Sequence, residues 1–118
     1  MVFPDTSPRN VNVEGVYECY GEGASYYVDT SSDSYKKHYQ MFTYLTEELP
    51  KVIKFNFPID EGKPSITGWS MGGLGAILCG LKTDKYRSVT ALSPISDTEN
   101  SQNYTVKAFH QYFQNYEE

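Results

Sequence analysis

Ser70 lies between two glycines in the run Gly68-Trp69-Ser70-Met71-Gly72. A serine in a G-x-S-x-G turn, entered from a strand and left into a helix, presents its hydroxyl at the tip of a sharp bend above a parallel sheet. Both flanks fit that context. Ser65-Ile66-Thr67 reads as a short strand, and Leu74, Ile77, Leu78 and Leu81 follow helical spacing. Glycines suit the bend because a crowded turn has no room for a Cβ. The chemistry implied is nucleophilic attack on an acyl carbon. A serine hydroxyl attacks only when a base accepts its proton, and the oxyanion that forms needs backbone N–H donors. Met71 is the candidate for one donor, since its N–H opens the following helix, where the dipole favours negative charge.

The base is harder to place. Two histidines are present, His38 and His110. His38 precedes the serine, against the order nucleophile, acid, base that accompanies this turn. Ser70, Asp97 and His110 do follow that order, but His110 comes only thirteen residues after Asp97. So little chain leaves scant room to return an imidazole over the serine. The reading adopted is an exposed His110 on an amphipathic tail, with Asp97 as a turn or cap residue. A self-contained triad of Ser70, Asp97 and His110 is the lesser alternative.

Several elements must position these groups. Met1-Val2-Phe3 reads as a strand tail ended by Pro4-Asp5, and residues 6–30 are loop-like, with Tyr17, Tyr20, Tyr26 and Tyr27 packing the loop or lining a pocket. A helix is expected from Asp33 or Ser34, with Met41, Leu45, Leu49, Val52 and Ile53 on one face. Pro50 removes a backbone donor and predicts a kink or restart near Thr46-Glu47-Glu48. The spacing predicts a further helix over 72–82, a strand over 88–92 stopped by Ser93-Pro94, and a helical tail over 108–118. Strand, helix, strand, helix, strand argues for an α/β fold with about three parallel strands and crossover helices, in a single domain spanning 1–118.

Composition narrows the function classes. With 118 residues, 39% of them apolar and 21% charged, the chain suits one modest globular domain. A net charge of −5, with no basic run or stripe, argues against nucleic acid and anionic membrane as partners. No window approaches the ~18 apolar residues of a membrane span, and the first residues lack the pattern of a secretory signal. Cys19 and Cys79 stand too far apart for a zinc motif or a disulfide framework, so reduced thiols and a cytoplasmic setting are expected. Cys79 falls among apolar helix positions and reads as core. The glycosylation-type triplet at Asn103 carries little weight, because the pattern is common by chance.

With those residues in view, the chain resembles the S-formylglutathione hydrolase (esterase D) family of serine thioesterases, which have the α/β-hydrolase fold. The resemblance is carried by FPDTSPR (3–9), GEGASYYVD (21–29), TYLTEELP (43–50), NFPID (56–60), SITGWSMGGLGA (65–76) and YRSVTALSPI (86–95), in family order. It implies hydrolysis of S-formylglutathione to glutathione and formate in formaldehyde catabolism, with Ser70 acylated and then freed by water. No metal or organic cofactor is implied. Family members are cytosolic and often dimeric, so a homodimer is an expectation the resemblance carries.

The departures matter as well. Trp69 stands where the family usually has histidine, which alters the wall beside the serine, and Glu18-Cys19 replaces a tryptophan and aspartate. The chain resembles only the middle of the family, a partial α/β-hydrolase fold. The strands that deliver the family's catalytic aspartate, histidine and second oxyanion donor are therefore not matched. A strand normally flanked by those ending at Asp5 and Thr67 is unmatched too, so open strand edges and association are expected. Two readings follow: a hydrolase that uses Ser70 in its complete form, with negligible activity in this stretch alone, or a catalytically dead remnant or binding module of the same fold.

Overall fold

The computed structural model describes residues 1–13, 21–99 and 104–114. Its regular elements are α1 (Met41–Thr43), a π-helical turn (Tyr44–Glu48), α2 (Leu49–Asn56), β1 (Ser65–Trp69), α3 (Met71–Lys82), β2 (Ser88–Leu92) and α4 (Tyr104–Tyr112). β1 and β2 pair in parallel, with Ser65 beside Ser88 and Trp69 beside Leu92. The crossover between them is α3, as the parallel connection requires. Among the described residues the sheet has two strands rather than three. Residues 1–5 belong to neither, since an apolar run becomes a strand only with a neighbour to pair with.

Alternation along a strand sorts the sheet residues into two faces. Ile66, Gly68, Val89 and Ala91 form the face beneath α3. A Cβ placed on Gly80 of α3 would come within 2.3 Å of the Val89 side chain, which marks how closely helix and sheet approach. Ser65, Thr67, Trp69, Ser88, Thr90 and Leu92 form the other face, and all six are exposed. The core lies entirely on the α3 side.

That core has two parts. One is built from tyrosines: Tyr26, Tyr35, Tyr39 and Tyr112 pack with Leu74 and Phe109. Ring centroids of Tyr35 and Tyr112 lie 4.9 Å apart, edge to face, an arrangement the ring quadrupoles favour. The Tyr112 hydroxyl accepts from Gly21 N–H and donates to the Ala24 carbonyl, both at 2.7 Å, so α4 fastens the 21–24 turn. Tyr26 and Tyr27 thus pack the loop onto the domain, Tyr27 also lining a groove, whereas Tyr17 and Tyr20 lie outside the described residues. The second part joins Tyr27, Met41, Leu45 and Cys79.

The first helix departs from expectation at its start. It starts at Met41, because residues 32–39 form turns whose bonds run from Lys36 and Tyr35 back to Ser32 and from Tyr39 back to Tyr35. Asp29 caps its first turn, accepting from Thr43 N–H at 2.9 Å and from the Thr43 hydroxyl at 2.6 Å. Pro50 falls in the first turn of α2, directly after the π-helical turn 44–48, so the expected restart near Thr46-Glu47-Glu48 is what the structure shows, without an end to the helical path. The missing proline N–H would have met the Thr46 carbonyl, and Lys85 Nζ takes that carbonyl instead, at 2.8 Å. The π turn absorbs the remaining mismatch. α4 likewise begins earlier than the sequence suggests, at Tyr104.

Candidate active site

Ser70 sits where β1 ends and α3 begins, at φ 54° and ψ −116°. This is not a conformation an L residue adopts freely, and such strain persists only where the surroundings enforce it. Gly68 is part of that enforcement. A Cβ there would lie 2.0 Å from the Gly72 carbonyl oxygen and 2.8 Å from Gly73 N, so the bend closes only over a hydrogen. Ser70 itself is half-buried. Its carbonyl accepts from Leu74 N–H at 3.1 Å, which makes it the residue from which α3 springs.

The N-terminus of α3 carries no side-chain cap. Its first N–H groups therefore have no partner within the helix and carry the positive end of its dipole. Met71 holds the first of them, and its half-buried side chain packs against both core clusters. This ties the start of the helix to the interior. Among the described residues, the Ser70 hydroxyl makes no hydrogen bond and no group of three metal-ligating side chains occurs.

The other candidates each have their own surroundings. Asp97 is exposed, and its carboxylate accepts from Glu99 N–H at 3.0 Å, closing a local turn. His110 lies on α4, which buries Thr105, Ala108, Phe109 and Tyr112 and leaves His110 on its outer side. His38 is also exposed. Trp69 alternates away from Gly68 and α3, so its indole stands on the open face of the sheet, 72% exposed, in register with Leu92. It borders the serine from that face, not from the helix side. The Glu18-Cys19 departure lies outside the described residues. Cys79, two turns into α3, is fully buried; burial pushes its thiol up to about 11, which keeps it neutral at physiological pH.

Sequence reasoning missed one set of contacts around Ser70, those made by the end of β2. Leu92 C=O accepts from Ser70 N–H at 2.9 Å, and Ile95 N–H donates to Ser70 C=O at 3.3 Å. Ser93-Pro94 had served only as a strand stop; nothing local in the sequence says that this turn reaches the serine. A groove of 570 Å³ runs along α3 between Tyr27, Phe42, Ile95 and Phe109, and Ser70 is not among its lining residues.

Comparisons with known proteins agree with this geometry. The Esterase family model matches residues 1–116. The mouse S-formylglutathione hydrolase is 49% identical over 98 residues, covering 80% of this chain and 35% of the mouse protein. The Paracoccus denitrificans S-formylglutathione hydrolase is 41% identical over 104 residues, covering 86% of this chain and 37% of its own. A solved S-formylglutathione hydrolase from Agrobacterium tumefaciens superposes with a TM-score of 0.84 at 39% identity, over 93% of this chain and 40% of that one. The chain thus spans little more than a third of the curated relatives it matches. Together with the parallel strand pair and its crossover, these likenesses identify a partial α/β-hydrolase fold, and the chain belongs to the Esterase family.

Proposed function

We propose that this chain supplies the nucleophile of a serine thioesterase acting on S-formylglutathione. The observation that carries the reading is Ser70 itself, held at φ 54° between β1 and the uncapped start of α3. In this reading the Ser70 hydroxyl attacks the formyl carbon while its proton passes to a histidine base. The oxyanion is met by the Met71 N–H and by a second donor. The C–S bond then breaks, and glutathione leaves as the thiol after taking the proton back. Water, activated by the same base, attacks the formyl ester and releases formate and free Ser70. The base, its carboxylate and the second donor come from the parts of the family fold that this chain does not span. Asp97 and His110 remain the lesser alternative in this reading; Asp97 accepts from Glu99 N–H in a local turn and His110 is on the exposed side of α4. Formaldehyde catabolism in the cytoplasm, a homodimer of the complete enzyme, and the absence of metal, nucleic-acid and membrane partners belong to the same reading.

The test is a chimera in which these residues replace the matched stretch of the mouse enzyme. It should hydrolyse S-formylglutathione, and Ser70→Ala should lower turnover by several orders of magnitude, as loss of one member of a triad does. The 118 residues alone should show negligible turnover. A folded chimera without activity would favour the catalytically dead remnant instead.

A further inference from the structure

We infer that the turn after β2, residues 92–95 with Pro94 at its centre, positions Ser70 and is the second half of the nucleophile turn. Its importance for catalysis rests on the reading of Ser70 as nucleophile, but its geometry stands independently. Both backbone polar groups of Ser70 are engaged by this one turn: Ser70 N–H by the Leu92 carbonyl at 2.9 Å, and Ser70 C=O by Ile95 N–H at 3.3 Å. Between those two contacts lies Ser93, at φ 43°, like Ser70 a non-glycine residue at positive φ. Pro94 does not put it there by itself, because the residue before a proline is driven toward extended backbone. Ser93 is held between the Leu92 and Ile95 contacts on either side of it, and the missing proline N–H costs nothing where those flanking groups make the bonds.

Pro94 also bears on the helix. A Cβ on Gly73 would lie 3.0 Å from Pro94 Cα and Cβ, and 3.3 Å from the Leu92 carbonyl. The proline therefore fills the angle between the end of β2 and the first turn of α3. Ser70 is fixed from both sides: Gly68 lets the helix close over β1, and the 92–95 turn holds the serine backbone at two points. The two positive-φ serines are thus tied into one unit by the bonds of Leu92 and Ile95 to Ser70. This accounts for how one turn of a small two-stranded sheet sustains φ 54° at a serine. Pro94 is on this account a positioning residue, acting through the backbone of Ser70.

The experiment is amide hydrogen exchange and backbone NMR on the chain and on Pro94→Ala. We expect exchange at Ser70 and Ile95 to rise at least tenfold in the variant. The Ser70 Cα and Cβ shifts should move toward those of an ordinary serine. Ala91, within β2, should change less than twofold. Gly73→Ala, which presses on Pro94 from the helix side, should produce the same local pattern and keeps the test available if Pro94→Ala fails to fold. Ser70 exchange and shifts within twofold of the parent in a folded variant would overturn the inference. So would a uniform loss of protection across β1 and β2, because that reports only global stability. Neither outcome bears on whether Ser70 reacts with a thioester, so failure here and failure of the functional reading are separable.

Discussion

The two faces of the β1–β2 sheet are built to different standards. Under α3 the spacing is so close that Gly68 and Gly80 have no room for a methyl group. On the opposite face Trp69 and Leu92 stand 72% and 56% exposed above Thr67, Thr90 and a Ser65–Ser88 hydroxyl pair at 2.7 Å. Parallel sheets are ordinarily covered on both faces. The strained serine is anchored by the finished face alone, through Gly68, α3 and the turn after β2. What this teaches is that, among the described residues, the backbone of Ser70 is held by the helix it opens and by the strand beside it, both reached from the packed face.

The difference predicts a gradient of mutational effects. Gly68→Ala should be the most damaging, because the clash is with backbone at 2.0 Å and the first turn of α3 would have to move. We expect a loss of about 3 kcal/mol or more, at the upper end for overpacking, read as loss of the cooperative unfolding transition. Leu74→Ala, which truncates a buried side chain in the tyrosine-lined core, should cost about 2–5 kcal/mol in urea unfolding. Trp69→Ser and Leu92→Ser on the open face should each stay within about 0.5 kcal/mol. Equal costs on the two faces would break the comparison.

Acid should have the smallest effect. The hydrogen bond from Arg9, then that from Thr6 N–H, lowers Asp5 to about 2. Asp33, Glu47 and Asp84 are lowered by hydrogen bonds from Lys36, Lys85 and Lys63. Since the folded chain holds these groups charged, the unfolded chain binds protons first. Stability should therefore be intact above the usual carboxylate range, near pH 4, and fall as pH drops toward about 2. All four carboxylates are exposed pairs, so the loss should be shallow and flatten further in high salt. A steep acid transition persisting in salt would point to an interior group instead.

What could be read from the sequence was what is decided locally. The glycine pattern around Ser70, the apolar period of α3 and the β-branched run of β2 each constrain only a few neighbours, and each was legible. The start of the first helix was not. Tyr35 and Tyr39 have helical spacing, yet they serve a tyrosine core completed by Tyr112, far along the chain. The restart at Pro50 was legible, but the partner of the carbonyl it frees was hidden, because that is Lys85, 39 residues from Thr46. The hold of Pro94 on Ser70 is of the same kind. For the candidate site, the serine proposed as nucleophile was visible and the turn that contacts its backbone was not.

The most direct measurement is fluorophosphonate labelling of the mouse chimera and of the isolated chain, read by intact mass and peptide mapping. The account predicts one stoichiometric adduct on Ser70 in the chimera, absent from its Ser70→Ala form. It predicts no labelling of the isolated chain above that control. A folded chimera left unmodified at Ser70, or an isolated chain labelled there to completion, would contradict it: the first denies the nucleophile, the second places a working base within these 118 residues.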